Sequence, residues 1–356
     1  SQAQFQGPDA ISAALSQVQP GTTAIIDVAQ GTYNGFVVSK PNISVIGVDP
    51  GVVLQSGVTD FLGNNFSLQN VAIQPPTGDG VFLFGVNGFT ISGVQVSGAL
   101  QNGVNAINSS SGLIAGSNLS NNFGSGVNLI QDTSVNIVGN QLSNDSFGVN
   151  LLNFQHVSVR DNVASNNIEG ILAGKLPVGS VGLITNEIAD DLQVVGNLVI
   201  NNNTADFLFN PSTQQPIDAP PGCGIVTFAV TNATISNNVV TGNNYLGIYI
   251  SSISHGVAAQ LQTEGSAAGG YSSWQNPFST NIVVSGNVVV GNGSVGPTRP
   301  FDQFPYPNVL SLVPADFIHP SDIAWDGVVQ TVGVDPNITF ANNVFGTSDL
   351  HVPHVA

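Results

Sequence analysis

The chain has 356 residues, and its 21 acidic residues against four basic ones give a formal charge of −17 at pH 7. A surface of this charge repels phosphate backbones and anionic lipid head groups, so nucleic acid and anionic membranes are excluded as electrostatic partners. Charged residues make up only 7% of the chain, against about 25% in an ordinary soluble domain. We therefore expect a polar but largely uncharged surface. We predict no transmembrane segment, because no apolar run approaches about 18 residues.

The first predicted element is a short amphipathic helix. Asp9 is a suitable N-cap, apolar residues follow at Ile11, Leu15 and Val18, and a Pro-Gly pair then ends the pattern. Repeat proteins need a cover on their first unit. We predict that residues 1–22 supply this cover as an N-terminal cap helix.

Residues 23–172 repeat one pattern of short strands and tight turns. Each copy alternates apolar and polar residues, turns at a small residue followed by Asn, and alternates again, as at Asn118, Asn140 and Asn162, which are 22 residues apart. A further apolar run, such as 127–130, follows each copy. Three short strands in about 22 residues are typical of a parallel β-helix, in which no coil can bury its apolar side alone. The predicted fold class is therefore all-β, a single-stranded parallel β-helix solenoid in one domain.

The residue at the turn predicts how neighbouring coils are joined. Asn tolerates the left-handed backbone conformation, and its amide can accept a hydrogen bond from one coil and donate one to the next. We therefore predict an internal asparagine ladder. Counting the turn residues gives about eleven coils, at Val28, Val48, Val71, Val94, Asn118, Asn140, Asn162, Asn197, Asn238, Asn287 and Asn343.

The intervals between turn residues lengthen after Asn162, from 22 residues to 35, 41, 49 and 56. The strand pattern persists, so residues 173–346 are predicted to form coils with long loop insertions, followed by a C-terminal tail at 347–356. The insertions are assigned to 173–190, 202–222, 252–280 and 293–336. Insertions in a repeat protein usually leave from one face, and that face is often where binding occurs. We therefore expect the functional site in the C-terminal half.

The coil phrase Val-Val-Thr-Gly-Asn-Asn at 239–244 resembles the right-handed parallel β-helix superfamily, which includes pectate lyases, polygalacturonases and alginate epimerases. The stretches 220–226 and 321–328 are most similar to exported bacterial parallel β-helix domain proteins of unassigned activity. The resemblance implies right-handed coils. Two stretches partly match polygalacturonase motifs, Asp190-Asp191 and the Ser-His-Gly at 254–256, but their order along the chain differs.

Several acids near the insertions are candidates for polysaccharide chemistry. A glycosidase needs one carboxylic acid to protonate the leaving group and carboxylates to activate water. The catalytic candidates are Asp190, Asp191, Asp206 and His255. A lyase or epimerase needs a base together with cations or Ca²⁺ to stabilise the developing enolate. Among the cations, only Arg160 is placed regularly within a coil, beside Asp161.

Other residues near the insertions could contact a ligand. Two aromatic side chains could stack on a sugar ring or pack their loop onto the coils, and two cations lie in or beside the same insertions. These ligand-binding candidates are Tyr271, Trp274, Lys175 and Arg299. An oxygen-rich cluster could hold Ca²⁺ or form a C-terminal cap, and it contains Asp316, Asp322 and Asp326. No cofactor is predicted to be required.

These observations favour an exported scaffold or adhesion protein that presents a loop-built surface for glycan binding or for self-association. The shortage of cations and the incomplete family motifs support this hypothesis. The alternative is a polysaccharide-active enzyme, a hydrolase, lyase or epimerase, with an acidic groove in the C-terminal half. The expected location is secreted, extracellular or at the cell surface, with the periplasm as a further compartment. The scarcity of Lys and Arg also predicts a protein that stays folded well below about pH 4.

Overall fold

The computed structural model describes residues 4–75, 77–176, 184–203, 222–244, 246–251, 279–292, 323–325 and 337–345. In this part of the chain one α-helix, α1 (Ala10–Gln17), is followed by 32 β-strands. The strands form three parallel sheets, and each turn of the chain adds one strand to sheet A, one to sheet B and one to sheet C. The predicted all-β parallel β-helix of about eleven coils is confirmed.

Within each sheet the strands follow the order of the sequence, and the coils are numbered 1 to 11 by their sheet A strand. Sheet A contains Ala24–Val28, Ile43–Gly47, Phe66–Gln69, Asn87–Ser92, Ser110–Ala115, Thr133–Val138, Gln155–Arg160, Asp190–Val195, Thr231–Ser236, Thr280–Ser285 and Ile338–Ala341. Sheet B contains Gly31–Tyr33, Val52–Leu54, Ala72–Ile73, Gln95–Ser97, Asn118–Ser120, Gln141–Ser143, Val163–Ser165, Leu198–Ile200, Val239–Thr241, Val288–Val290 and Val344–Phe345. Sheet C contains Val37–Val38, Val58–Phe61, Val81–Phe84, Val104–Ile107, Ser125–Ile130, Phe147–Leu152, Glu169–Gly174, Ile225–Phe228, Ile248–Ser251 and Ile323–Trp325.

The core is built by stacking equivalent residues of successive coils. In sheet A, Ile91 pairs with Ile114, which pairs with Ile137, and all three side chains are fully buried. The buried apolar residues form one continuous cluster that extends from Ile11 to Val289. Full burial of an aliphatic side chain contributes about 1.5–3 kcal/mol. Many stacked coils together therefore supply the stability that one coil lacks.

Helix α1 covers the first coil, as predicted. Its side chains Ile11 and Leu15 are buried in the core cluster. Nζ of Lys40 donates hydrogen bonds to the carbonyl oxygens of Leu15 at 2.9 Å and Val18 at 2.7 Å, which places a positive charge at the favourable C-terminal end of the helix. Asp9 precedes the helix without capping it, because Nδ2 of Asn34 donates to its Oδ1 at 2.8 Å.

The corner between sheets A and B has the same construction in successive coils. A residue with positive φ, such as Gly139 (φ 65°) or Asp161 (φ 56°), turns the chain, and the next residue is buried. Gly, Asn and Asp adopt this left-handed conformation most readily. The buried residue is Val71 in coil 3 and Val94 in coil 4, whereas coils 6 to 10 have a buried Asn there.

These corner asparagines form the predicted ladder, which runs through Asn140, Asn162, Asn197, Asn238, Asn287 and Asn343. In each step, Oδ1 of the later Asn accepts hydrogen bonds from both the backbone N–H and Nδ2 of the earlier Asn. Between Asn140 and Asn162 these bonds measure 2.9 and 3.0 Å. Nδ2 of Asn140 also donates to the carbonyl oxygen of Ile114 at 2.9 Å, in the preceding coil. Each amide is therefore satisfied inside the core, as buried polar groups must be.

Two of the predicted turn residues are wrong. In coil 5 the corner is held by Ser117, whose backbone N–H donates to Oδ1 of Asn140 at 2.9 Å, and Asn118 is the exposed first residue of its sheet B strand. The prediction failed because this step spans 23 residues rather than 22. Val48 is exposed because the corner of coil 2 is longer and extends over 48–51.

A second, unpredicted ladder lines the corner between sheets B and C, through Asn122, Asp145, Asn167, Asn202, Asn243 and Asn292. Oδ1 of Asp145 accepts the backbone N–H of Asn122 at 2.7 Å, but its buried Oδ2 has no partner. In the next coil, Nδ2 of Asn167 donates to the carbonyl oxygen of Leu142 at 3.1 Å. An ionised Asp145 has no proton to donate in the equivalent position.

Candidate functional site

Every long insertion in coils 7 to 10 borders sheet C. The insertions leave or enter sheet C between Gly174 and Asp190, Ile200 and Ile225, Ser251 and Thr280, Val290 and Ile323, and Trp325 and Ile338. The corner between sheets A and B stays short throughout, for example between Val195 and Leu198. Because loops that carry function are often clustered on one side of a rigid scaffold, the outer face of sheet C is the candidate functional site.

The predicted site residues fall into two groups. Asp190, Asp191 and Lys175 belong to the described part of the chain. The others lie outside the described residues, and they are Asp206, His255, Tyr271, Trp274, Arg299, Asp316, Asp322 and Asp326. The segments that contain them join the coils at the ends of sheet C strands.

Asp190 and Asp191 begin the coil 8 strand of sheet A, and their side chains bond in opposite directions. Oδ1 of Asp190 accepts hydrogen bonds from Oγ1 of Thr231 at 2.8 Å and Nδ2 of Asn232 at 2.7 Å, both in coil 9. Oδ2 of Asp191 lies 2.7 Å from Nδ1 of His156 in coil 7. The His156–Asp191 pair is more than half exposed on the His side. The structure therefore places both carboxylates in contacts between coils on an open surface.

Lys175 lies at the end of the coil 7 strand of sheet C and is buried. Burial lowers the pKa of its ammonium group, and the nearby charge of Glu187 acts in the opposite direction and raises it. Lys175 stands where the chain leaves the coil for the first insertion, and Glu187 stands where it returns. A buried cation beside a carboxylate therefore lies at the rim of sheet C.

Gln131 and Asn153 attach the base of this insertion to earlier coils. Oε1 of Gln131 accepts hydrogen bonds from the N–H groups of Thr185 at 2.6 Å and Asn186 at 2.9 Å. Oδ1 of Asn153 accepts from the N–H of Leu176 at 2.6 Å, and Nδ2 of Asn153 donates to the carbonyl oxygens of Leu176 and Asn186 at 2.8 and 2.5 Å. The two ends of the insertion are therefore held on the rim of coils 5 and 6.

A polar row runs along the outer side of sheet C in coils 3 to 6, and the Asn105 and Asn128 side chains in it are buried. Nδ2 of Asn105 donates to Oδ2 of Asp79 at 2.9 Å, Nδ2 of Asn128 to Oδ1 of Asn105 at 2.9 Å, and Nδ2 of Asn150 to Oδ1 of Asn128 at 2.8 Å. The row ends at Asn150, whose buried Oδ1 has no partner because the next coil has Leu172 in this register. The face changes there from polar to apolar.

An aromatic surface, the phenylalanine patch, adjoins the start of this row and consists of Phe61, Phe82 and Phe84. Phe61 is 50% exposed and the other two rings are half-buried. The rings of Phe61 and Phe82 meet edge to face, with centroids 5.8 Å apart and an interplanar angle of 73°. Phe82 pairs with Asn105 of the polar row. Aromatic and amide groups therefore lie side by side, in the N-terminal half where the sequence predicted no site.

Ile184, at the described end of the first insertion, packs next to the phenylalanine patch. Ile184 forms a buried cluster with Ile107 and Ile130 of sheet C, and Phe82 and Phe84 pack against its edge. The insertion therefore ends beside the patch and leaves Phe61 half exposed.

Glu169, which the sequence analysis did not single out, begins the coil 7 strand of sheet C. It pairs with Phe147, is completely buried, and neither of its carboxylate oxygens has a hydrogen-bond partner. Burial raises its pKa well above the usual range, and the nearby backbone N–H groups of Cys223 and Gly222, which lie outside hydrogen-bonding geometry, act in the opposite direction. Burial and the charge of Glu169 together raise the pKa of the Cys223 thiol. Burial therefore favours the neutral form of the Glu169 carboxyl.

Two further acids are buried at the ends of sheet C strands. Oδ1 of Asp60 accepts the N–H of Gly63 at 3.0 Å and its Oδ2 has no partner, and burial raises the pKa of this carboxyl to about 7. Asp132 accepts the N–H groups of Ser109 at 2.5 Å and Ile130 at 2.8 Å, yet burial raises its pKa well above the usual range. Burial raises the pKa of Asp145 in the same way.

Among the described residues, no group of three or more His, Cys, Asp or Glu side chains could hold a metal ion. Within the same ranges, no helix is long and apolar enough to span a membrane.

Comparison with known proteins assigns the family. Residues 79–264 match the family model described as right-handed beta helix region, which is more than half of the chain. The chain belongs to this right-handed β-helix family. A search of curated proteins finds no match for this β-helix protein.

Solved structures share its coil architecture at low sequence identity. They include pectate lyase Pel9A (16% identity, 80% of this chain and 64% of that one, TM-score 0.47) and the surface adhesin PfbA of Streptococcus pneumoniae (11%, 95% and 86%, 0.50). A third is the tailspike protein of E. coli bacteriophage HK620 in complex with a pentasaccharide (12%, 82% and 54%, 0.54). This β-helix protein thus spans less than two thirds of the lyase and tailspike chains. At these identities the likeness shows the fold alone.

Proposed function

We propose that this β-helix protein is an exported scaffold or adhesion protein that binds an uncharged or weakly acidic glycan along the outer face of sheet C. One observation carries the proposal. The phenylalanine patch and the polar row lie side by side on the same face that every long insertion borders. Binding sites commonly combine apolar and aromatic surface with a few placed polar groups, and a sugar ring offers C–H groups to the first and hydroxyl groups to the second.

The charge distribution narrows the class of glycan. The described outer face of sheet C between Phe61 and Asn150 contains no Lys or Arg, and the chain carries a charge of −17. A polyanionic glycan would be repelled unless a divalent cation bridged it. The Asp79 carboxylate accepts hydrogen bonds from the side-chain amides of Asn102 and Asn105. Amide and carboxylate groups of this kind are suitable partners for the hydroxyl groups of a neutral sugar.

The predicted ligand contacts extend this face toward the C-terminal coils. Tyr271, Trp274, Lys175 and Arg299 are proposed as further contacts, and Asp316, Asp322 and Asp326 as a Ca²⁺ site in the loops. An adhesin and a tailspike in complex with a pentasaccharide share the coil architecture at TM-scores of 0.50 and 0.54. Export to the cell surface or the medium is part of the same proposal.

The test is glycan binding by Phe61→Ala, with Phe123→Ala as the matched control. Both Phe residues are 50% exposed, but Phe123 lies at the corner between sheets B and C, outside the patch. We expect Phe61→Ala to weaken retention on immobilised neutral polysaccharides about five- to tenfold. The reason is that a contact with one aromatic ring contributes on the order of 1 kcal/mol. Equal weakening by both variants, or no retention of the wild type on any neutral polysaccharide, would overturn the proposal.

The second candidate is a polysaccharide hydrolase, lyase or epimerase that uses Asp190, Asp191, Asp206 and His255. Lys175 is the observation that favours it, because a buried cation with a lowered pKa lies in the segment that leads to Asp190. A cation beside an acid can stabilise negative charge that develops at a sugar carboxylate. The check is product formation from neutral and uronic polysaccharides, with and without Ca²⁺. New reducing ends would indicate chain cleavage, and unsaturated products would indicate a lyase. Activity lost in Asp190→Asn but kept in Asp161→Asn would favour the enzyme over the scaffold.

A further inference from the structure

The outer face of sheet B changes character along the solenoid. Each strand has three residues or fewer, and in coils 4 to 11 its first residue points outward. In coils 4 to 6 these outward residues are polar, namely Gln95, Asn118 and Gln141. In coils 7 to 11 they form the valine stripe, which consists of Val163, Leu198, Val239, Val288 and Val344.

The valine stripe is continuous and open. Val163 pairs with Leu198, Leu198 with Val239, Val239 with Val288 and Val288 with Val344, so each residue lies directly beside the next. Leu198, Val239 and Val344 are exposed. Neighbouring strands are about 4.8 Å apart, so four steps extend over roughly 19 Å. Apolar side chains that form a contiguous row, unlike scattered ones, mark an interaction surface.

The face is also free of charge in a strongly acidic protein. The sheet B strands from Gln95 to Val344 contain no Asp, Glu, Lys or Arg. At the adjacent corner of coil 7 stand Arg160 and Asp161, one charge of each sign. The chain as a whole carries −17, so two copies repel each other in most orientations. Contact through sheet B is the orientation in which the described surfaces bring no net charge together.

We propose that the valine stripe binds the valine stripe of a second copy of this chain. A two-fold axis through Val239 would place Val163 opposite Val344 and Leu198 opposite Val288 of the other copy. The stripe is then self-complementary, as an isologous contact requires, and two flat sheet faces pack about 10 Å apart. Sheet C would point away from the contact in both copies, so the inference goes beyond glycan binding and does not depend on it.

The size of the stripe sets the strength of the contact. A stable complex buries about 800 Å² per partner, and a stripe roughly 19 Å long and one to two residues wide provides less. The association is therefore weak and reversible, with monomer and dimer both populated at micromolar concentrations.

Sedimentation equilibrium of the full chain without glycan tests this contact. We expect the average mass to rise with concentration for the wild type, and we expect Val239→Asp to weaken the dimer at least tenfold because the contact would bury two facing carboxylates. Val283→Asp is the matched control, since Val283 is also 40% exposed but lies in sheet A. Val239→Thr keeps the side-chain shape and tests the contact without a new charge, with a smaller loss expected.

Three outcomes would overturn the proposal. The first is a wild type that stays monomeric up to about millimolar concentration, which would mean a dissociation constant too weak for a specific contact. The second is equal weakening by Val239→Asp and Val283→Asp, which would indicate a general charge effect. The third is a Val239→Thr variant that melts at a lower temperature but associates like the wild type, which would show that the stripe is covered by other residues of its own chain.

Discussion

The early and the late coils fill the same corner in different ways. In coils 3 and 4 the corner between sheets A and B buries Val71 and Val94, whereas coils 6 to 10 bury an asparagine. The valine side chain needs only apolar neighbours, although the backbone N–H of Val94 donates to Oγ of Ser117 at 3.2 Å. The asparagine needs a hydrogen-bonding partner in the coil before it and in the coil after it, as Asn238 shows with Val194 and Asn287.

This difference coincides with the position of the insertions. All long insertions occur in coils that carry the asparagine ladder, and its bonds persist across 35, 41, 49 and 56 residues of intervening chain. An insertion of this length adds loop entropy that must be offset for the next strand to return in register. Directed amide bonds at the corner fix that register, whereas an apolar contact, which has no direction, does not. Amide corners therefore permit loops of variable length on a constant scaffold.

The largest expected effect is a dependence of stability on pH. Besides valines and asparagines, the protein buries several carboxyl groups at or near its corners. Burial raises the pKa of Asp132, Asp145 and Glu169 well above the usual range, and that of Asp60 to about 7. An acid with a raised folded-state pKa stabilises the fold fully below its unfolded pKa, near 4, and loses that contribution as pH rises through the folded pKa. We expect the melting temperature to be higher at about pH 4 than at pH 7.5.

Thermal unfolding followed by circular dichroism from about pH 3 to pH 8 measures this dependence. Asp60→Asn is the most direct control, because it removes the titrating group whose window ends at about pH 7 and should flatten the profile between pH 4 and pH 7. A melting temperature that rises from pH 4 to pH 7 would contradict the expectation. Sharp acid unfolding near about pH 5 would also contradict the acid stability expected from the sequence.

The next largest effect is expected when an early-coil corner is placed in a late coil. Asn238→Val removes the acceptor of both the backbone N–H and Nδ2 of Asn197, and it leaves the carbonyl oxygen of Val194 without its donor. Each buried polar group left unpaired costs about 1–3 kcal/mol, so we expect a total loss of at least about 3 kcal/mol in the free energy of unfolding. Val94→Ala, which removes two methyl groups from an early corner, should cost only about 1.5–2 kcal/mol. Denaturant unfolding compares the two, and an equal loss in both variants would break the distinction between apolar and amide corners.

A smaller and opposite effect is expected at Asp145, which stands in the second ladder between Asn122 and Asn167. Asp145→Asn supplies the missing donor at the unpaired Oδ2 position, so we expect a gain of about 1–3 kcal/mol at pH 7. At about pH 3 the wild-type carboxyl is protonated in both states, and the gain should shrink. Asn122→Asp is the reciprocal control and should destabilise the protein at pH 7. A destabilised Asp145→Asn at neutral pH would show that the ladder tolerates a carboxylate better than an amide.

The smallest effect is expected on the surface of the late coils. His156→Ala removes the exposed contact with Asp191, and exposed ion pairs contribute about 0–1 kcal/mol. We expect a change below about 0.5 kcal/mol in the free energy of unfolding. A loss of 2 kcal/mol or more in denaturant unfolding would mean that coil-to-coil contacts outside the ladders also hold the register.

The sequence was sufficient for the coils because their pattern repeats. Gly139-Asn140 and Gly196-Asn197 combine a residue suited to positive φ with an inward amide, so the ladder could be recognised from composition and spacing. Asn118 was misassigned because its distance from Asn140 fitted the repeat, whereas alignment on Gly116 would have selected Ser117. The second ladder could have been found in the same way, from the Asn121-Asn122 and Asn166-Asn167 pairs. Asp145 then occupies an Asn position, and that substitution was the available signal.

The candidate site was less accessible to sequence analysis. The phenylalanine patch joins residues of different coils. It forms because Phe61 of coil 2 pairs with Phe84 of coil 3 in sheet C. Glu169 lies between Phe147 and Cys223 only because coil 8 returns to the same register after a long insertion. No local pattern marks either feature. The predicted catalytic acids, in contrast, were chosen from local motifs, and Asp190 and Asp191 bond to neighbouring coils instead of to each other.

The direction of the hydrogen bonds in the first ladder bears on how the protein folds during synthesis. Each corner asparagine donates from its backbone and its side chain to the asparagine of the following coil, never the reverse. A ribosome releases the N-terminal coils first, and the side chains of their corner valines need no hydrogen-bond partner from the following coil. Asn287 must wait until Asn343 has been made, 56 residues afterwards. A nascent chain halted within that interval therefore keeps two unpaired donors at its growing end, and the last loop must be synthesised before the coil that precedes it is complete.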